Sequence, residues 1–69
     1  MKFSARNSFK GKIIAINQGP VSTEVAIKVA KRIEIVSVIT TASAKRLKLK
    51  VGNEAYAIIK ADSVIVGAD

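Results

Sequence analysis

The sequence predicts an all-β fold: a five-stranded barrel with one short helix between the third and fourth strands. Three observations predict it. Val21 to Val29 alternates cleanly between apolar and polar positions, as a half-buried strand does. Ile33 to Thr40 is β-branched almost throughout. Around these runs the order reads three strands, a helical stretch and two further strands, within 69 residues.

The first strand is expected over Lys10 to Gln18. Lys10, Lys12, Ile14 and Ile16 fall on one face, and Gly11, Ile13, Ala15 and Asn17 on the other. Apolar residues on both faces of its second half suit a strand that fills a core on one side and meets another subunit on the other. Gly19-Pro20 marks a turn. In the second strand Val21, Thr23, Val25, Ile27 and Val29 face one way, and Ser22, Glu24, Ala26, Lys28 and Ala30 the other. Ala30-Lys31-Arg32 must bend although it lacks Gly or Asn. Ile33 to Thr40 forms the third strand, apolar on both faces. Thr41 to Leu47 is Ala-rich and follows a Thr suited to capping, so it predicts one or two helical turns. Gly52-Asn53 turns the chain into strands over Glu54 to Lys60 and Ser63 to Val66. This order matches an OB-like barrel. An SH3-like barrel is the alternative, but it lacks a helix in that place.

Composition narrows the function. A chain of 69 residues has room for a single domain, taken as residues 1–69. Such a domain buries only about 60% of its unfolded surface, so its core needs support. With no Cys and no His, disulfides, thiolate zinc sites, Cys nucleophiles and imidazole catalysis are excluded together. Oligomerisation is the remaining support, and 49% hydrophobic residues exceeds what one small barrel core requires. Glu24, Glu34, Glu54 and Asp62 are scattered singly and Asp69 is terminal, so no carboxylate pair suggests acid–base work. No Gly-rich phosphate loop or nucleophile elbow is present. A non-enzyme is expected. No leader or membrane span is visible, which makes a cytoplasmic protein the expectation.

Net charge is +7, which favours an anionic partner without choosing its kind. A small tetrahedral dianion needs convergent N–H and O–H donors plus one or two positive charges. Ser4 and Arg6 alternate onto one side of an extended segment, and Lys60 adds an ammonium with a backbone N–H after it. On spacing alone, a solvated terminus and a solvated strand-end Lys are the commoner use of such residues.

The stretches Ser4-Ala5-Arg6-Asn7, Phe9-Lys10-Gly11-Lys12-Ile13, Gly19-Pro20-Val21, Ile39-Thr40-Thr41-Ala42-Ser43 and Val51 to Ala61, followed by Ser63-Val64, resemble the molbindins, the Mop family of molybdate-binding domains. The same domain is found appended to molybdate transporter ATPases and molybdenum-responsive regulators. The resemblance covers nearly the whole chain. It implies strand-exchanged dimers, assembled as a hexamer (a trimer of dimers), that bind molybdate or tungstate between subunits without an organic cofactor. Carried over by position, Ser4 and Arg6 would come from one subunit, and Thr40, Lys60 and the backbone N–H of Ala61 from its neighbour. A second anion site would lie near Gly19, Val21 and Ser22. The chain departs from the family at Asp62, usually a small hydroxyl or neutral residue, at the hairpin tip Ala30-Lys31-Arg32, often Gly-rich, and at Lys48, often Gly.

Intracellular molybdenum storage or homeostasis is therefore the expected function. No ATPase motif or DNA-reading helix accompanies it. The alternative is a basic OB-fold nucleic-acid-binding protein, with Lys45-Arg46-Leu47-Lys48-Leu49-Lys50 tracking phosphates. Its aromatics, Phe3, Phe9 and Tyr56, form no basic-aromatic cluster in sequence, which counts against that reading. A purely structural assembly module is the third.

Overall fold

The computed structural model describes residues 5–69. Four strands form one antiparallel sheet: β1 (Asn7–Gln18), β2 (Ser22–Ala30), β3 (Ile33–Thr40) and β4 (Glu54–Ile59), in the spatial order β3-β2-β1-β4. A helix, α1 (Thr41–Arg46), separates β3 from β4, and a 3₁₀ turn (Ala61–Ser63) follows β4.

β1 is the spine, pairing with β2 along its second half and with β4 along its first. Its expected alternation is broken by a bulge at Ile14, between the pairs Ile13↔Ile27 and Ala15↔Ala26. The extra residue switches faces, because one added residue inverts a period of two. Ile13 and Ile16 therefore both reach the core, while Ile14 is left 37% exposed. The assignment of Ile14 and Ile16 to one face is corrected accordingly. Gly11 allows β1 to pass close to β2: a Cβ there would lie 2.5 Å from the Lys28 carbonyl oxygen.

The core follows the alternation of β2. Val25 and Ile27 are buried with Ile13 and Ala57, and Val29, Ile35, Ile39 and Leu49 pack around them. Thr23 and Thr41 are buried polar residues at one end of this core. Lys31 and Arg32 make a two-residue turn from β2 to β3, with Arg32 in the left-handed region at φ 63. Lys48, at φ 56, does the same after α1. There Lys48 N–H donates to Lys45 O and Leu49 N–H to Ala44 O, the paired bonds of a Schellman motif. Two positions where the resemblance expects Gly are thus ones where the backbone favours Gly.

The expected fifth strand over Ser63 to Val66 is not formed. Ser63 closes the 3₁₀ turn, and Val64, Ile65 and Val66 run on 49%, 95% and 87% exposed. The sheet leaves β3 and β4 as its two edges. A groove between them has Val25 and Ile27 as its floor, with Ser37 and Ile39 of β3 and Tyr56 and Ile58 of β4 as its walls. No helix of the described residues is long and apolar enough to cross a membrane.

Candidate functional site

Thr40 ends β3 and caps α1. Its backbone is extended, and its hydroxyl oxygen accepts the N–H of Ser43 at 3.1 Å, as an N-cap does. The same hydroxyl donates to Ser43 Oγ at 2.8 Å. Two hydroxyls are thereby held together on an exposed edge. Ser43 was not singled out from sequence, although a hydroxyl three residues after a capping Thr is a readable signal.

The junction is anchored from below. Thr41 Oγ1 donates to the Gly19 carbonyl at 2.6 Å and lies 2.8 Å from Thr23 Oγ1, while Thr41 N–H donates to Val21 O at 2.8 Å. Since the Thr41 proton serves Gly19, Thr23 is the donor between the two hydroxyls. These bonds fix the start of α1 against the turn between β1 and β2.

Arg6 and Lys60 lie at the other end of the sheet. Asn7 pairs with Ile59, so Arg6 and Lys60 flank the last pair of the β1–β4 ladder. Both are exposed, and the ion pair found among the described residues, Lys10 with Glu54 at 3.0 Å, involves neither. Two cations at one ladder end repel each other, and an anion between them relieves that repulsion. Ala61 follows directly, exposed at the start of the 3₁₀ turn. Ser4 lies outside the described residues.

The register regroups the expected ligand set. Thr40 pairs with Ser22, beside the C-terminal end of β1, whereas Lys60 lies beyond its N-terminal end. The 12 residues of β1 separate them in register, roughly 40 Å of strand contour at about 3.3 Å per residue. Within one copy, Arg6, Lys60 and Ala61 lie towards one end of β1 and Thr40 towards the other. Asp62 lies in the 3₁₀ turn and is exposed. Strand alternation would put it on the same side as Lys60, but the chain leaves the extended conformation at Ala61, so that alternation does not carry through to Asp62.

The second expected region is poorer in donors. Gly19 N–H is used by Ser22 O at 2.9 Å, and Val21, 75% exposed, has its carbonyl engaged by Thr41. Gly19 and Ser22 line a shallow hollow with Asn17, Val38 and Glu24, whose carboxylate opposes an anion there. Among the described residues no group of three or more acidic, His or Cys side chains is placed to hold a metal cation.

Comparisons with known proteins show what the chain as a whole is similar to. The TOBE domain matches residues 4–66. A probable molybdenum-pterin-binding protein of Haemophilus influenzae is 48% identical over 69 residues, all of both chains. The molybdenum transport protein ModE of Herbaspirillum seropedicae is 49% identical, but this chain spans only 26% of its length. Among solved structures, MopII of Clostridium pasteurianum superposes with a TM-score of 0.92 at 36% identity, over 97% of this chain and 100% of that one. A molybdate binding protein from Sporomusa ovata gives 0.90 at 31%, over 99% and 100%.

Proposed function

Because the chain belongs to the molbindin (Mop) family of TOBE domains, we propose that it binds molybdate, and tungstate equally, at a site shared between subunits. The observation that carries this is the pair of cations, Arg6 and Lys60, brought to one end of the β1–β4 ladder with no carboxylate neutralising them among the described residues. Arg6 and Lys60 supply charge, Ser4 a hydroxyl and Ala61 its N–H. Thr40 of a second copy, with Ser43 beside it, supplies further hydroxyls. The chain is one domain, acts without catalysis or an organic cofactor, and serves cytoplasmic molybdenum storage or homeostasis.

The second copy is also the source of the fifth strand. Val64 to Val66, exposed on one copy, fill the groove between β3 and β4 of the other. This strand exchange yields dimers, and three dimers a hexamer. Nucleic-acid binding gains little support. Lys10 does face Tyr56 across the β1–β4 ladder, but Glu54 already engages that ammonium.

Calorimetric titration with molybdate, tungstate and sulfate tests the proposal, with native mass spectrometry to count subunits and ligands. Molybdate and tungstate should bind alike, being tetrahedral dianions of nearly equal size, and smaller sulfate should bind poorly. Equal affinity for sulfate removes the selectivity. A ligand-saturated monomer removes the shared site.

A further inference from the structure

A hollow lies beside α1, apart from the residues proposed for the anion. Its volume is about 330 Å³, within the roughly 300–1,000 Å³ of small-molecule sites. Ala44 is buried and Ile16 and Leu49 are half-buried, so they form an apolar floor. Lys45, Lys48 and Lys50 are exposed and form the rim, with the neutral Gln18. Of these residues only Leu49 also lines the groove between β3 and β4.

Two independent features of this hollow point to a ligand. The first is charge. Three lysines surround it, no acidic residue lines it, and the ion pair found among the described residues, Lys10 with Glu54, uses none of them. Like charges gathered over an apolar floor repel one another, and an anion between them relieves the repulsion. The N–H groups of Leu47, Lys48 and Leu49 occupy the carbonyls of Ser43, Lys45 and Ala44, so the end of α1 sets little negative charge against an anion. The second is backbone. Lys48 holds φ 56, a conformation that glycine adopts freely and lysine only at a cost in stability. Strain of this kind persists where the residue serves a purpose, and this side chain stands on the rim.

We propose that the hollow binds an organic phosphate monoester, with its apolar body on Ile16, Ala44 and Leu49 and its dianionic head among Lys45, Lys48 and Lys50. Lysines suit such a head as point charges. The apolar floor separates this ligand from molybdate, which has no apolar part. Nucleic acid offers only monoanionic diesters, and a hollow of this volume admits one group rather than a strand.

NMR titration of the full chain with phenyl phosphate tests the site, at about pH 7.5 where the head is mostly dianionic. Signals of Ile16, Lys48 and Leu49 should move, and phenyl phosphate should bind about tenfold more tightly than inorganic phosphate or phenol. Saturating molybdate should leave that affinity unchanged, and a separate molybdate titration reads the anion site by itself. Lys48→Gly should bind phenyl phosphate about fivefold more weakly while melting at a higher temperature, an opposition that a purely structural lysine would not give. Lys50→Gln, which leaves the backbone alone, should weaken binding similarly. Equal affinity in Lys48→Gly and wild type, inorganic phosphate bound as tightly as phenyl phosphate, or displacement of phenyl phosphate by molybdate overturns the proposal. So does tighter binding of a single-stranded oligonucleotide at the same lysines, compared at equal phosphate concentration.

Discussion

Thr23 donates a hydrogen bond to Thr41 across 2.8 Å in the one buried polar pair among the described core residues, and Thr41 passes its own proton to the Gly19 carbonyl. This chain of hydroxyls joins β2, α1 and the turn after β1. It holds in place the residue next to it, Thr40. Its members are 1% and 6% exposed, so an unpaired group here would be desolvated at a cost.

Replacing Thr41 with Val leaves the Thr23 hydroxyl and the Gly19 carbonyl without partners, and should destabilise the fold by about 2–3 kcal/mol. Thr23→Val removes a donor but leaves Thr41 bonded to Gly19, and should cost about 1 kcal/mol. Thr23→Ser should keep most of the stability. Urea unfolding of the three variants checks the order; a Thr41→Val protein as stable as wild type contradicts the role given to this pair.

Lys48 and Arg32 hold left-handed backbone without being glycine. Lys48→Gly should raise stability by about 1 kcal/mol, since the side chain at that position is exposed and its Cβ disfavours this conformation. Arg32→Gly should act in the same direction. Gly52, at φ +96, should show the reverse: Gly52→Ala destabilises although nothing lies within 4 Å of the added carbon. Thermal melts compared at equal protein concentration decide all three.

Arg6→Ala should weaken molybdate binding by about 2–3 kcal/mol if its charge is desolvated between subunits. Thr40→Val removes one neutral hydrogen bond and should cost about 1 kcal/mol. Asp62→Thr should change affinity by less than about tenfold, because Asp62 is exposed on the 3₁₀ turn, where water screens its carboxylate. Calorimetric titration of the three variants measures these directly. A much tighter Asp62→Thr protein would place the carboxylate within the site.

Lys10 has its pKa raised above its usual 10.5, first by the hydrogen bond to Glu54, then by the charges of Glu54 and Tyr56. A raised folded-state pKa stabilises the fold fully below the unfolded value and loses that contribution as pH climbs through the folded one. Between about pH 9 and about pH 12 the wild type should therefore lose more melting temperature than Glu54→Gln. The difference should be small, because both side chains are exposed and water screens the pair. Parallel slopes for the two proteins would show that the pair contributes nothing.

The sequence by itself determined the strands β2 and β3, the helical stretch after them and the exclusion of cysteine and histidine chemistry. Each depends on a local pattern: the period of two over Val21 to Val29, the β-branched run from Ile33, the capping Thr40, and residues simply absent. Arg6 and Lys60 were legible as candidate cations, but their placement at one end of the β1–β4 ladder was not. It rests on the pairing of Asn7 with Ile59, residues far apart in sequence. Tertiary structure alone decided that Ile14 bulges and lets Ile16 turn inward, that Thr40 and Lys60 lie at opposite ends of β1, and that Ser63 closes a turn. The physical reason is common to all three. Alternation says only that a strand has two faces, whereas the partner strands set which residue is opposite which. A single bulge then reverses every face beyond it. The exposed run Val64 to Val66 shows the same dependence, since β-branched residues become a strand only where an unpaired edge receives them.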